Sequence, residues 1–204
     1  MVRAGESSKL RRCRWCTDDP IYLAYHDLEW GVPVFDEFKL FEMLVLEGAQ
    51  AGLSWLTILK KREAYRRALE GFDFTRVALF DEARIESLLR DKAIVRNRLK
   101  ILSLVQNARA AMRIKERTGS FSEFLWGFVD GRPLQNRWAS HEQIPSFSAQ
   151  SISMARQLKA LGFTFVGPVI CYSFMQAVGM VNDHELGCFR HEQIRSLGLR
   201  QKQD

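Results

Sequence analysis

The chain of 204 residues is predicted to be all-α, and three features of its sequence indicate this fold class. Apolar residues recur at the spacing of a helix face, as Leu40, Phe41 and Leu44 do. Aspartate and serine, which commonly cap helices, precede several of these segments, for example at Asp36 and Ser148. No stretch of strand length alternates apolar and polar residues between turn signals.

Eight helices follow from these patterns in chain order. Asp36 is the expected N-cap of the first, Ser148 caps the seventh, and Pro168 is tolerated in the first turn of the eighth. A Gly-Arg-Pro sequence at 131–133 ends the sixth. The predicted helices span residues 38–47, 54–69, 73–80, 82–91, 96–118, 120–128, from 148 to about 161, and from about 167 onward.

Composition and charge narrow the class of protein. With 47% hydrophobic and 11% aromatic residues the chain is too apolar for a disordered protein, and its length fits one domain or two small lobes. A net charge of +6 and an isoelectric point near 9.3 favour an anionic partner such as nucleic acid. The apolar run 164–181 contains Gly167, Pro168 and Gln176, which indicates a buried core helix rather than a membrane span. No apolar signal segment is visible at the N-terminus, so a cytoplasmic protein with four reduced cysteines is expected.

A short hairpin is predicted between the last two helices, at residues 161–168. Gly162 and Gly167 suit a tight turn that approaches another molecule closely, and the free N–H groups of the following helix would attract a phosphate. Lys159, just upstream, adds positive charge. Spacing alone favours the simpler alternative, a helix–helix turn with glycine caps.

Cysteine and histidine residues near both ends of the chain form a candidate zinc site. Cys13 and Cys16 are separated by two residues, and His184 and Cys188 would share one face if that segment is helical. His26 competes with Cys16 for the fourth place, and spacing prefers Cys16. His191 is a further candidate, and the alternative is that all the thiols are small buried residues. A site closed by four protein ligands would be structural.

A glutamate and five aromatic residues form a candidate ligand pocket. Glu47 ends an apolar helix face next to small residues, although a lone glutamate there is more often a solvated charge. Aromatic faces suit a flat base, and a cation on that base adds attraction, although any single ring is more often core. The candidate pocket aromatics are Trp15, Tyr22, Tyr25, Trp30 and Trp55.

Five long motifs resemble the 3-methyladenine DNA glycosylase I family of the helix-hairpin-helix superfamily. The resemblance extends from about Cys13 to about Cys188. The motifs are Tyr-His-Asp-Leu-Glu-Trp-Gly-Val-Pro from 25, Leu-Glu-Gly-Ala-Gln-Ala-Gly-Leu-Ser-Trp from 46, Ile-Val-Arg-Asn-Arg-Leu-Lys-Ile from 94, Gly-Phe-Thr-Phe-Val-Gly from 162, and Tyr-Ser-Phe-Met-Gln-Ala from 172, continuing to Val-Asn-Asp-His from 181.

This resemblance implies a fold and a set of roles. The fold would be a single helix-hairpin-helix domain over 1–204, with a zinc lobe of about 13–45 plus 175–204 and a hairpin lobe of about 46–174. Glu47 would recognise the base among the five aromatics, and Leu53 would fill the gap left by a flipped base. The structural Zn²⁺ would be held by Cys13, His26, His184 and Cys188, which overrules Cys16. DNA phosphates would be bound by the hairpin, at Lys159, Gly162, Phe165 and Gly167.

The implied activity is hydrolytic excision of 3-methyladenine from double-stranded DNA by a monomer. Alkylation at N3 makes adenine cationic, so an ionised Glu47 would complement it, and the uncharged Asn182 would suffice where related enzymes carry an aspartate. Asp183 is the rival charged catalyst, or else orients His184 from behind. Val169 stands where a lyase needs an amine, so no strand nicking is expected. Leu161 and Leu99 also depart from the family pattern. The alternatives are a damage sensor that does not cleave, a zinc-stapled interaction module, or activity on 3-methylguanine.

Overall fold

The computed structural model describes residues 10–200, and helices dominate this part of the chain. Two short strands, β1 (Leu134–Gln135) and β2 (Val181–Asn182), pair in parallel with Leu134 opposite Val181. Short 3₁₀ helices cover Glu70–Phe72, Gly127–Val129 and His141–Gln143. The α-helices are α1 (Pro20–Leu28), α2 (Glu37–Gln50), α3 (Trp55–Ala68), α4 (Phe74–Val77), α5 (Glu82–Arg90), α6 (Arg98–Thr118), α7 (Phe121–Trp126), α8 (Ala149–Ala160), α9 (Pro168–Ala177) and α10 (Phe189–Arg200).

Side-chain caps explain where the helices begin, and the eight predicted helices are confirmed. Asp36, Ser54 and Ser148 each accept a hydrogen bond from the backbone N–H three residues later. The prediction for 73–80 was too long, because α4 ends after one turn at Val77. Gly119, at φ +84°, ends α6 in the left-handed conformation that favours glycine.

Two helices were missed, and one assumed helix is absent. α1 begins with Asp19 as N-cap and Pro20 in the first position, a recognisable signal, and α10 follows Cys188. The segment from His184 to Cys188 is a turn and not a helix, so the predicted sharing of a helix face by these two residues is wrong. Their side chains come together because the backbone turns: the Cys188 N–H donates to the Glu185 carbonyl.

Helix α2 is the centre of the hydrophobic core and carries Glu47 into it. Every residue from Leu40 to Ala49 is buried, with α9, α3, α6 and α7 packed around it. The predicted lobe boundaries, at 45/46 and 174/175, fall inside α2 and α9, and the division into lobes stays a prediction. The apolar run 164–181 consists of the hairpin, α9, a turn and β2. Among the described helices, none is both long enough and apolar enough to cross a membrane.

Gly179 joins α9 to β2 at a point where two backbone segments touch. Its φ is +73°, and a Cβ there would lie 2.5 Å from the Pro33 nitrogen. We expect Gly179→Ala to lower the free energy of unfolding by several kcal/mol, because backbone must move. Gly119→Ala has a similar φ but nothing within 4 Å of the new Cβ, so it should cost only about 1–2 kcal/mol. Urea denaturation of both variants tests this, and equal losses would contradict it.

Candidate functional site

A pocket of about 310 Å³ opens between α1, α2, α3 and α9. All six residues predicted to bind a base line it: Trp15, Tyr22, Tyr25, Trp30, Glu47 and Trp55. The lining residues that the sequence did not single out are Gln50, His141, Ile144, Ser173 and Gln176. The predicted grouping of one carboxyl with five aromatic residues therefore exists in space.

The aromatic walls are built from rings that pack edge to face or tilted. Trp15 and Trp30 have ring centroids 5.0 Å apart at 71°, and Tyr25 and Trp55 are 5.5 Å apart at 58°. Trp15 also contacts Tyr22, at 5.8 Å. Such packing is favourable for aromatic rings and keeps the walls in place without filling the pocket. A flat heterocycle would meet ring surfaces there.

Glu47 brings a carboxyl group into this apolar site without a partner. The residue is 5% exposed, and within residues 10–200 its carboxyl makes no hydrogen bond or ion pair. Burial raises the pKa of the Glu47 carboxyl to about 8. In the empty pocket this shift favours the protonated form at neutral pH, whereas the ionised form expected from the sequence belongs to the complex with a cationic base. A cationic ligand would reverse this, because an adjacent positive charge favours the carboxylate.

Cys13, His26, His184 and Cys188 converge on one point in the interior. All four are buried, and their ligand atoms lie within 4.8 Å of one another. The Cys13 Sγ to His184 Nδ1 distance is 3.4 Å, and Cys188 Sγ lies 3.5 Å from both His26 Nε2 and His184 Nδ1. Tetrahedral zinc with ordinary bond lengths separates sulfur and nitrogen ligands by about 3.5 Å. The donor set and its spacing thus fit a zinc ion.

The spacing preference for Cys16 is wrong, because its thiol points elsewhere. Cys16 is half-buried, and its Sγ lies near the Thr17 and Tyr22 carbonyl oxygens. His191 is also outside the cluster, with its Nε2 3.1 Å from the Asn136 carbonyl oxygen. The set implied by the family resemblance is the one that the fold assembles.

The two histidines are oriented through their outer nitrogens. His26 Nδ1 lies 2.8 Å from the Asp27 carboxylate, which Arg12 holds with three hydrogen bonds. His184 Nε2 donates to the Trp30 carbonyl at 3.1 Å, and the ring centroids of His184 and Trp30 are 4.5 Å apart. Outer hydrogen bonds of this kind fix the ring and tautomer of a metal-binding histidine. Since Trp30 lines the pocket, the cluster lies directly behind the pocket wall.

The predicted hairpin connects α8 to α9 and exposes a row of backbone N–H groups. Gly162 has φ +96°, and Phe165 is also left-handed at +55°. Lys159 is exposed in the last turn of α8. In the described part of the chain, five N–H groups lack an acceptor, those of Phe165, Val166, Gly167, Val169 and Ile170. Such N–H groups at a helix N-terminus attract anions.

Helix α6 holds this hairpin in place. Asn107 accepts from the Thr164 N–H and donates to the Thr164 carbonyl, as a neighbouring strand would. Gln106 donates to the Gly162 carbonyl at 2.7 Å. On the other side, Phe165 packs on α2, where any Cβ at Gly48 would lie 3.2 Å from the Phe165 Cβ. Phe165 therefore has a packing role in addition to the predicted contact with DNA.

Leu53 lies on the loop between α2 and α3, at the edge of the pocket. Its side chain is 40% exposed, and its neighbours Gln50 and Trp55 line the pocket. Lys100 supports this loop from α6: its Nζ donates to the carbonyls of Ala49 and Ala51 at 2.8 and 2.6 Å. Burial lowers the pKa of Lys100. A cation at the end of α2 also complements the helix dipole.

We expect Lys100→Met to destabilise the loop that carries Leu53. Two carbonyls would lose a buried donor, at a cost of about 1–3 kcal/mol in unfolding free energy. Lys61 is a matched control, because its Nζ also donates to two carbonyls, those of Lys92 and Ala93, but in an exposed position. Water can replace that donor, so Lys61→Met should change stability by less than about 0.5 kcal/mol. Denaturant titration measures both, and similar losses would contradict the role of Lys100.

Asn182 does not lie in the pocket, and Asp183 does not lie against the His184 ring. Asn182 is fully buried beside β1, where its amide donates to Gln135 and to the His191 carbonyl, and it is not a pocket residue. Asp183 does not contact the His184 ring, so its orienting role there is wrong: His184 Nε2 bonds to Trp30 instead. The Asp183 carboxylate faces α9 and accepts a hydrogen bond from Gln176.

Comparison with known proteins gives matches over most of the chain. The family model for methyladenine glycosylase matches residues 15–191. DNA-3-methyladenine glycosylase 1 of Escherichia coli is 48% identical over 179 residues, which cover 88% of this chain and 96% of that protein. A crystal structure of a 3-methyladenine DNA glycosylase I superimposes with a TM-score of 0.87 at 52% identity, covering 89% of this chain and all of that one. The structure of 3-methyladenine DNA glycosylase I from Staphylococcus aureus, studied for 3-methyladenine recognition, superimposes with a TM-score of 0.86 at 38% identity. The match covers 88% of this chain and 96% of that one.

Proposed function

Because the chain belongs to the methyladenine glycosylase family, we propose that it excises 3-methyladenine from alkylated DNA by hydrolysis of the N-glycosidic bond. One observation in the pocket supports this most directly. Glu47 is a buried carboxyl that has no hydrogen-bond or ion-pair partner among residues 10–200, and aromatic rings surround it. Such a site favours a flat, cationic heterocycle with hydrogen-bond donors over a neutral base.

Glu47 acts in this proposal by selecting and holding the alkylated base. The base is turned out of the duplex into the pocket, at a cost of a few kcal/mol. Methylation at N3 gives the ring a positive charge, so Glu47 releases its proton to solvent as the base enters and then accepts a hydrogen bond from the exocyclic amine. The C1′–N bond breaks with its electron pair going to the base, which leaves as a neutral molecule. Water then bonds to C1′ and loses a proton to solvent. Little further acid catalysis is needed, because the leaving group is already cationic.

We propose that the chain binds double-stranded DNA through the hairpin and Leu53. The five N–H groups of the hairpin and the first turn of α9 that lack an acceptor in the described part of the chain would hold a phosphate, with Lys159 near it. Leu53 would occupy the space that the flipped base leaves. Phosphate binding of this kind weakens steeply with salt, which an interaction module without nucleic acid would not show. Action as a monomer in the cytoplasm stays a prediction.

Zinc is the metal that the Cys13, His26, His184 and Cys188 cluster would hold. Bound there, the ion would be closed off by four protein ligands and so would supply structural cross-linking only. It would join the segment before α1 to the turn before α10. This cross-link would position two walls of the pocket. One is Trp15, two residues after Cys13, and the other is Trp30, whose carbonyl is hydrogen-bonded to His184.

The absence of lyase activity is also proposed. Among the described residues that line the pocket, none is a lysine, and Val169 at the start of α9 is apolar and 53% exposed. A lyase needs an amine to form a covalent adduct with the sugar. Borohydride treatment during turnover should therefore trap no protein–DNA adduct, and a trapped adduct would overturn this part.

The proposed function is tested on DNA treated with a methylating agent, by chromatography of the released bases. The unmodified protein should release 3-methyladenine and leave the strand intact. Binding to abasic DNA with no base released would instead support a damage sensor with the same fold. Release of 3-methylguanine at a similar rate would broaden the substrate without changing the reaction.

A further inference from the structure

The Asp183 carboxylate accepts four hydrogen bonds, all from neutral donors. Oδ1 accepts from the Asn136 side-chain amide at 2.6 Å and from Trp138 Nε1 at 2.7 Å. Oδ2 accepts from the Tyr172 hydroxyl and from Gln176 Nε2, both at 2.7 Å. Asp183 is 1% exposed and, within residues 10–200, forms no ion pair. All four of its lone-pair positions are in use, so the group acts only as an acceptor.

This saturation determines which way the Gln176 amide faces. Tyr172 and Gln176 are four residues apart on α9 and therefore share the face that meets Asp183. Only the NH₂ end of an amide can donate, so Gln176 must turn that end to Asp183. Its carbonyl oxygen is left for the pocket, which Gln176 lines next to Ser173. Donation to a carboxylate also polarises the amide and strengthens its oxygen as an acceptor.

We propose that Gln176 is a specificity-determining residue of the pocket and that Asp183 is its positioning residue. This inference rests on the proposed function. The exocyclic amine of an adenine carries two N–H donors, and among the residues that line the pocket Glu47 and Gln176 each carry an oxygen that can accept one of them. A base with a carbonyl oxygen in place of that amine meets an acceptor where it needs a donor. A site that pairs a substrate N–H discriminates against the analogue that lacks it.

Asp183→Asn should reverse the amide of Gln176. The new NH₂ group cannot face Trp138, because an indole N–H is donor only. It must therefore face the Tyr172 hydroxyl, which can turn to accept, and Gln176, which can flip. The flipped amide presents its NH₂ group to the pocket. The variant should then lose preference for a base with an exocyclic amine and gain affinity for the oxo analogue.

The test measures binding of two free bases, 3-methyladenine and 3-methylhypoxanthine, by quenching of tryptophan fluorescence. The unmodified protein should prefer 3-methyladenine, and in Asp183→Asn the ratio of the two affinities should fall by about ten- to hundredfold. Tyr172→Phe is the matched control, because it removes a donor from the same carboxylate oxygen and leaves Gln176 in place. It should lower the melting temperature and keep the ratio.

The outcomes separate this inference from the function on which it rests. Weaker binding of both bases by Asp183→Asn in equal proportion would mean a structural role alone and would overturn the proposal. If that variant does not fold, Gln176→Leu replaces it. This variant should lower the affinity for 3-methyladenine about tenfold and leave the affinity for 3-methylhypoxanthine nearly unchanged. An unchanged ratio there would also overturn the proposal. Failure of the unmodified protein to release 3-methyladenine from methylated DNA would instead reject the proposed function itself.

Discussion

Replacing Glu47 by glutamine is expected to reduce excision of 3-methyladenine by roughly ten- to hundredfold. Glutamine keeps the shape of the side chain and one carbonyl acceptor but cannot become an anion beside a cationic base. A hydrogen bond to a charged group contributes about 1.5–3 kcal/mol, and each 1.36 kcal/mol is about a factor of ten in rate. Release of bases from methylated DNA, measured at single turnover, gives this factor directly.

The same substitution should make the protein more stable. Burial raises the pKa of Glu47 from 4.5 to about 8 in the folded protein, so the folded state binds a proton more tightly than the unfolded chain does. Stability from this group is therefore fully present below pH 4.5 and is lost as the pH rises toward 8. Glutamine does not titrate. At pH 7 the variant should gain on the order of 3 kcal/mol in unfolding free energy at most.

The dependence on pH distinguishes this effect from an ordinary packing change. The gain of Glu47→Gln over the unmodified protein should grow by roughly 1.4 kcal/mol per pH unit between about pH 5.5 and 7 and level off above about pH 8. Glu116→Gln on the exposed face of α6 makes the same chemical change outside the pocket and is the matched control. Denaturant titrations at several pH values measure both. A gain that does not vary with pH would show that Glu47 has an ordinary pKa.

The same group should link base binding to proton release. Because Glu47 is protonated in the empty pocket and ionised beside a cation, the affinity for a cationic base should rise with pH up to about 8. Burial disfavours the charged form of Glu47, so the carboxylate is poorly stabilised here when no cationic base is bound. A destabilised group of this kind at a binding site is a usual compromise between stability and function.

Local sequence signals predicted most of the helices, because helix starts depend on neighbouring residues. Asp36, Ser54 and Ser148 cap α2, α3 and α8 through bonds to the third following N–H, which a sequence displays directly. The spacing argument failed for His184 and Cys188. Periodicity does not distinguish a helix from a turn in a five-residue segment. Cys16 has the spacing of a metal ligand, but its thiol faces a backbone carbonyl instead of the cluster.

The residues around Asp183 could not be predicted, because their contacts are long-range. Asn136 and Trp138 come from the segment after β1, about 45 residues before Asp183 in the chain. Gln176 was interpreted as one polar residue in an apolar core run. A signal was present all the same: Gln176 follows Tyr172 by four residues and Ser173 by three on α9, which marks one polar face on an otherwise apolar helix.

Removal of the proposed zinc ion is expected to have the second large effect, because it should lower both the stability of the protein and the order of the pocket. Cys13 and His184 are 171 residues apart, so an ion bound between them would cross-link nearly the whole described chain. Since the core of α2, α6 and α9 remains, the expected loss is about 3–5 kcal/mol, less than for a zinc finger. For about 200 residues this corresponds to a fall of roughly 6–20 °C in melting temperature.

Cys188→Ala and Cys16→Ala form the pair that tests this cross-link. Cys188 Sγ lies 3.5 Å from both histidines, whereas Cys16 Sγ faces backbone carbonyls outside the cluster. The unmodified protein and Cys16→Ala should each carry one zinc per chain by elemental analysis, with equal melting temperatures. Cys188→Ala should lose the metal and most of its stabilisation. Excision should fall with it, because the Trp30 carbonyl is hydrogen-bonded to His184 and loses a fixed partner when that ring is free to turn. Equal stability of the two variants would show that the four side chains are packed as ordinary core residues and that the pocket does not depend on a metal.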